Sequence, residues 1–184
     1  MKFVETSLAG VFLVEPEALE DERGFFARTW CEQEFEAAGL EAKVVQTNVS
    51  FNRQAGTLRG MHYQAQPHPE SRLVRCTRGA VFDVVVDLRP ESKTYCQWFG
   101  ADLRACEHTA MYVPVDCAHG FQTLVDDSEV HYLMSEFYDP DAATGVRYDD
   151  RAFGIEWPLQ VTAISEKDRH WPDWSEGLSP RERR

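Results

Sequence analysis

Cysteine is scarce and shows no pairing pattern. Cys31, Cys76, Cys96, Cys106 and Cys117 are odd in number, and no two form a CxxC pair. That argues against a thiolate zinc site and against a disulfide framework, and it leaves reduced thiols in a cytoplasmic protein as the expectation. Positive charge is also short. Lys and Arg total 19 against 31 Asp and Glu, a net charge of −12. No global field draws such a chain to the phosphates of a nucleic acid. An anionic small ligand would need its cations gathered locally. No run approaches the ~20 apolar residues of a membrane helix, so no membrane partner is expected. The opening Met1-Lys2-Phe3-Val4-Glu5 meets an acid too early for a signal peptide.

Familiar catalytic signatures are missing too. There is no GxGxxG, no Walker loop, no GxSxG and no HExxH, which removes support for nucleotide-cofactor folds and common hydrolase sites. No His-x-His occurs, so neither a facial triad nor a tetrahedral zinc site is spelled out. Repeats, low-complexity runs and linkers are absent as well. At 184 residues with 43% apolar side chains, one domain over 1–184 is the simplest account. Ser175 to Arg184, with Gly177, Pro180 and three arginines, is the expected loose tail.

What remains reads as short strands. Phe3 to Leu8, Val11 to Val14, Lys43 to Phe51, Thr57 to Gln64, Arg72 to Thr77 and Ala80 to Leu88 come first. Tyr95 to Leu103, Ala110 to Val113, His119 to Val125 and Val130 to Phe137 follow. Turn signals such as Gln54-Ala55-Gly56, Arg78-Gly79 and Asp139-Pro140-Asp141 separate them. This spacing predicts an all-β sandwich or barrel. Cys31 to Ala38, closed by Gly39, is the best helix candidate in the first half. A short helix opens at Ser165, with Asp168 three residues on.

Period-two reading places Gln46, Asn48 and Ser50 on one strand face, and Gly60, His62 and Gln64 on another. Such polar rows line a ligand cavity if they face a barrel lumen, and they meet solvent if they do not. The arginines divide in the same way. Arg23 and Arg59 each precede a glycine, where a donor fork and an open backbone suit a phosphate. The commoner use of an arginine in so acidic a chain is a surface salt bridge. Tyr132 and Tyr138 flank the end of the last long strand, as core residues or as a proton donor and a stacking ring.

Taken together and in order, these segments resemble the dTDP-4-dehydrorhamnose 3,5-epimerase family of small cupin barrels. The resemblance rests on Asp21-Glu22-Arg23-Gly24-Phe25-Phe26, Gln46-Thr47-Asn48-Val49-Ser50, and Gly56-Thr57-Leu58-Arg59-Gly60-Met61-His62-Tyr63-Gln64. It continues through Leu73-Val74-Arg75, Asp83 to Arg89, Ala118-His119-Gly120-Phe121, Tyr132, Tyr138-Asp139-Pro140 and Ser165-Glu166-Lys167-Asp168. It implies an all-β, cupin-type jelly-roll barrel with a few short helices, acting as a homodimeric isomerase in rhamnose biosynthesis. Such an enzyme epimerises C3 and C5 of a nucleotide-linked 4-keto-6-deoxy sugar with no redox cofactor and no metal.

The resemblance also implies roles. His62 is the base, Asp168 the carboxylate on its far ring nitrogen, and Tyr132 the proton donor. His119 and Arg72 stabilise the enolate oxygen. Arg23 and Arg59 meet the diphosphate and its neighbouring sugar, and Gln46 and Asn48 the rest of the nucleotide. Tyr138 stacks on the thymine, and Lys167 touches substrate. The N-terminal strand Phe3 to Leu8 is the candidate for exchange between copies.

Departures from the family pattern bear on substrate choice and on the second epimerisation. Arg72 stands where the family usually has lysine, and Arg28 where many members carry glutamate. The alternatives are a 3-only epimerase, another cupin such as a sugar 3,4-ketoisomerase or a metal-dependent oxygenase, and a non-catalytic sugar-nucleotide binding module.

Overall fold

A computed structural model describes residues 1–174, so the expected tail at 175–184 lies outside the described residues. The strands are β1 (Lys2–Glu5), β2 (Phe12–Glu15), β3 (Ala18–Asp21), β4 (Gly24–Ala27), β5 (Gln46–Asn52), β6 (Leu58–Gln64) and β7 (Arg72–Arg78). They continue as β8 (Ala80–Asp87), β9 (Trp98–Arg104), β10 (Ala110–Val113), β11 (Cys117–Thr123), β12 (Ser128–Met134) and β13 (Ala143–Gly145). Two short helices, α1 (Glu32–Ala37) and α2 (Glu166–Arg169), complete the described elements. No helix among the described residues is long and apolar enough to cross a membrane.

The strands form a six-stranded sheet in the order β1-β2-β10-β7-β12-β5 and a five-stranded sheet in the order β13-β6-β11-β8-β9. Both are antiparallel throughout. This is the expected cupin-type jelly roll. Between the sheets lies an apolar core: Val74, Cys76 and Val130 from one side, Val81, Val85 and Phe121 from the other. Polar side chains gather beside this core, where they share Phe121 with it.

Strand β8 shows how the layers are built. Ala80 to Asp87 carries Val84, Val85 and Val86 in succession rather than alternating apolar and polar residues. Both of its faces are covered, which is what a continuous apolar run requires. Val81 and Val85 enter the inter-sheet core. Val84 and Val86 pack outward under Val146, Phe153 and Trp174 of the C-terminal segment. On the other sheet, α1 lays Phe35 over Leu73 and Tyr112. Its Cys31 cap and the left-handed Gly39 (φ 73°) bracket it where the sequence placed it.

Several expectations need correction: β5 begins at Gln46 rather than Lys43, and β12 ends at Met134 rather than Phe137. The first strand is only Lys2–Glu5, and it pairs with β2 of its own chain. Tyr95 lies outside β9, which begins at Trp98. The β3–β4 hairpin and β13 have no counterpart in the sequence reading. Every residue of β3 and all but one of β4 are exposed or nearly so, so no burial pattern marked them.

The feature that positions the site is the approach of β6 to β11. Their register sets His62 opposite His119, with an irregularity between His119 and Phe121. A Cβ on Gly60 (φ 135°) would lie 2.5 Å from the Gly120 Cα, and one on Gly120 would lie 2.7 Å from the Arg59 carbonyl oxygen. Neither backbone can move aside without shifting a histidine. Gly120→Ala and Gly60→Ala are therefore expected to lower the urea unfolding free energy by about 1–3 kcal/mol, with Gly60→Ala the worse. Gly154→Ala, where no atom lies within 4 Å of the added Cβ, should cost less than either.

Candidate active site

The barrel holds a cavity of about 880 Å³. Gln46, Asn48 and Ser50 line it from β5, and His62 and Gln64 from β6, so the polar rows do face the lumen. Arg72, His119 and Tyr132 enter from β7, β11 and β12, and Lys167 and Asp168 from α2. Tyr138 stands at its rim, 60% exposed. Ten of the eleven expected site residues thus meet in one cavity. Arg23 does not. It sits in the β3–β4 turn with its side chain 85% exposed, bound to Asp21.

His62 and Asp168 are 106 residues apart in sequence, yet His62 Nε2 lies 2.6 Å from Asp168 Oδ1. Two anchors make that possible. Leu58 N–H donates to the Ala163 carbonyl, and Thr57 bridges Ala163, so the chain before α2 runs beside β6. The Ser165 hydroxyl then caps α2 by accepting from the Asp168 N–H. The second carboxylate oxygen accepts from the Gly60 N–H at 3.3 Å. Burial pushes the Asp168 carboxyl up, but the bond from His62, then those from Gly60 and Ser165, outweigh it and hold the group below its ordinary 3.8. With Nε2–H given to Asp168, Nδ1 is the ring nitrogen free to take a proton.

A second pair stands across from it. His119 Nε2 lies 2.9 Å from Asp83 Oδ1, both fully buried. The other Asp83 oxygen is buried without a hydrogen-bond partner. A third pair joins Arg72 Nη2 to Glu70 Oε1 at 2.5 Å, with side chains 9% and 6% exposed. The Tyr132 ring meets His119 edge-on at 6.2 Å between centroids. Burial is the main cause that raises the Tyr132 phenol above its ordinary value of 10; the Asp83 charge adds to it, while Arg72 and Arg59 pull the other way. The phenol therefore keeps its proton throughout the neutral range.

Nearer the mouth, Arg59 Nε donates to Asn52 Oδ1 at 2.7 Å, and Gln46 Nε2 donates to Asn48 Oδ1 at 3.1 Å. The Gln64 amide grips the loop that carries Tyr138. It donates to the Phe137 carbonyl and accepts from the Asp139 N–H. Lys167 Nζ lies 5.0 Å above the Trp171 ring, whose edge faces His62.

Sequence reasoning gave no separate role to Asp83, Glu70, Asn52 or Trp171. Asp83 carried a signal that was available, an acid set between Phe82 and the Val84-Val85-Val86 run; Glu70, between Pro69 and Ser71, carried none. No three His, Cys, Asp or Glu side chains converge as a metal-binding set among the described residues.

A cupin barrel with a histidine–carboxylate dyad, a buried phenol and clustered cations in its lumen has the equipment of a proton-transfer isomerase. The comparisons give that class its family. The family model described as dTDP-4-dehydrorhamnose 3,5-epimerase matches residues 5–176. The dTDP-4-dehydrorhamnose 3,5-epimerase of Methanothermobacter thermautotrophicus is 43% identical over 173 residues, 92% of each chain. The solved structure of the enzyme from Elizabethkingia anophelis superposes with a TM-score of 0.91 at 37% identity, covering 95% of this chain and 96% of that one. That of the Bacillus anthracis enzyme, with TDP and PPi bound, gives 0.90 at 39% identity, covering 94% and 99%. This chain belongs to the dTDP-4-dehydrorhamnose 3,5-epimerase family.

The dyad carries a pH signature. Because the Asp168 carboxyl is lowered in the folded state, its ionised form stabilises the fold above the ordinary value near 4. That contribution fades as pH falls through the depressed value. Asp168→Asn lacks it at every pH. In urea titrations the variant should be less stable than the parent by about 1–3 kcal/mol at neutral pH, and the gap should close progressively as pH falls below about 4. A gap unchanged at low pH would show that the charge of Asp168 is irrelevant to the fold.

Proposed function

We propose that this chain epimerises C3 and C5 of dTDP-4-dehydro-6-deoxyglucose, giving dTDP-4-dehydrorhamnose, by proton transfer through an enolate. The observation that carries the reading is the placement of His62 and Tyr132 on facing sheets of one cavity. Inversion at a carbon requires removal of a proton from one face and its return to the other. The C4 ketone acidifies the hydrogens at C3 and C5. His62 Nδ1 takes one of them, and the imidazolium so formed is held by Asp168. The electron pair moves onto O4, where Arg72 and the His119 ring, held by Asp83, face the negative charge. Tyr132 returns a proton to carbon, and Arg72 and Arg59 favour the phenolate left behind.

The remaining assignments follow the cavity from floor to rim. Arg59 suits the diphosphate, Gln46 and Asn48 the nucleoside, Tyr138 the thymine face, and Lys167 a substrate oxygen. Arg23 lies away from the cavity of its own chain, so it can reach a diphosphate only in the cavity of a neighbouring copy. A homodimer fits that position. Leu19, Phe25 and Phe26 of the hairpin are 71%, 51% and 73% exposed, and Val49 and Phe51 lie uncovered on edge strand β5. One domain over the whole chain fits the continuity of the two sheets. A cytoplasmic location fits the five free cysteines.

The test is solvent exchange. Incubation with dTDP-4-keto-6-deoxyglucose in heavy water should place deuterium at both C3 and C5, read by NMR and mass spectrometry. His62→Ala should slow exchange at both carbons by about 10²–10⁴-fold, and Tyr132→Phe should slow product formation on the same scale, while both variants still bind dTDP. Deuterium at C3 alone would make the chain a 3-epimerase. Binding without exchange in the parent protein would make it a sugar-nucleotide binding module.

A further inference from the structure

Three of the groups that the proposed enolate chemistry uses have a carboxylate behind them. Asp168 holds His62 and Asp83 holds His119. Arg72 has Glu70, two residues back on the same chain, and both side chains line the cavity while almost wholly withdrawn from solvent. From this geometry, and resting on the epimerase reading above, we propose that Glu70 is a positioning residue: it fixes the Arg72 guanidinium so that its free N–H donors meet the enolate oxygen O4.

The backbone around Glu70 is built for such a task. Arg72 is the first residue of β7 and pairs with Val113 on one side and Met134 on the other. The preceding Ser71 is tied to β12's end twice: its N–H donates to the Ser135 hydroxyl, and its carbonyl accepts from the Ser135 N–H. Residues 70 and 72 therefore project the same way from a pinned segment. A free arginine in an 880 Å³ cavity samples many rotamers, and its wide, planar fork is useful to one oxygen only when its plane is set. A carboxylate on Nη2 sets it. It takes up that end of the fork and leaves the rest for the substrate. The same carboxylate offsets part of the positive charge, so that Arg72 favours a developing oxyanion without binding ground-state anions indiscriminately.

O4 carries the charge in the enolate toward C3 and in the enolate toward C5. A residue that acts through Arg72 at O4 must therefore affect both exchanges alike. In the heavy-water assay, Glu70→Ala should lower kcat for exchange at C3 and at C5 by the same factor, about 10²-fold, with KM changed by less than about threefold on the same reasoning. Glu70→Gln, which keeps an acceptor for Nη2, should recover part of that loss. Calorimetry with dTDP, which lacks O4, should give the parent affinity for both variants and shows that the cavity is intact. In an Arg72→Met background, Glu70→Gln should cause no further loss in kcat.

Equal kcat in the parent, Glu70→Ala and Glu70→Gln would overturn the proposal. A loss confined to one carbon, or an undiminished loss in the Arg72→Met background, would also overturn it. A parent protein that exchanges neither hydrogen would remove the epimerase reading itself, and the role of Glu70 with it. An active parent with unaffected Glu70 variants would remove the role alone.

Discussion

The close passage of β6 against β11 is the constraint on which the site depends. Glycine at 60 and at 120 lets the two backbones approach to a distance at which no side chain fits. That approach fixes the register, and the register puts His62 opposite His119. Outward of the same strands, Met61 and Ala118 join the apolar layer under the C-terminal segment. The segment that packs there delivers Asp168 to His62. One backbone contact thus sets His62 and Asp168 together, and it faces them with the second histidine. The Gly60 N–H is also a ligand of Asp168, so the glycine shapes the dyad through its backbone as well as by lacking a side chain.

A chain of net charge −12 has to collect positive charge where an anionic sugar nucleotide would bind. It does so by pairing. Burying an unpaired charge or ring nitrogen is costly, and His62, His119 and Arg72 each have an acid at hydrogen-bond distance. A pair is a poor source of net stability, because desolvation consumes most of what attraction supplies. Its use here is orientation. Asp168, Asp83 and Glu70 each hold one nitrogen donor on the cavity wall at a fixed angle; in the proposed reaction the carboxylate of Asp168 answers the imidazolium, and the donors of His119 and Arg72 answer the oxyanion. Tyr132 is the exception among the reacting groups, since no carboxylate accepts its proton. Burial first, and the Asp83 charge after it, raise its phenol against Arg72 and Arg59, which under the proposed mechanism suits a group that holds its proton until an enolate carbon is close.

Local chemistry was legible in the sequence, and distance was not. The α1 and α2 boundaries follow from Gly39 and from the Ser165 cap, because a left-handed residue and a hydroxyl at a helix start act within a few residues. The alternation of Gln46, Asn48 and Ser50 located one wall of the cavity for the same reason. It could not tell lumen from solvent, since period two fixes only which residues share a face. The β3–β4 hairpin escaped because its side chains are mostly exposed, leaving no burial pattern to read. Ten of the expected site residues share the cavity, but they were assembled by resemblance to a family rather than by spacing. No rule of local structure joins His62 to Asp168 or His119 to Asp83. Arg23 marks the limit of that route: a motif carries a residue type to a position, and the position lies on an exposed turn.

Two facing sheets answer the stereochemical demand of epimerisation in a direct way. His62 and Asp168 belong to the five-stranded side, on β6 and the segment beside it. Tyr132 and Arg72 belong to the six-stranded side, on β12 and β7. A planar enolate lying between the sheets presents one face to each. No domain closure is then needed to bring an acid to the face opposite the base, because His62 and Tyr132 already line one cavity from opposite sheets. What the sandwich does not supply is control of the oxyanion in the plane between them. In the proposed reaction that task falls to side chains reaching in from both walls, His119 from one and Arg72 from the other, and it makes the rigidity of those two groups as important to the chemistry as the identity of the acid and the base.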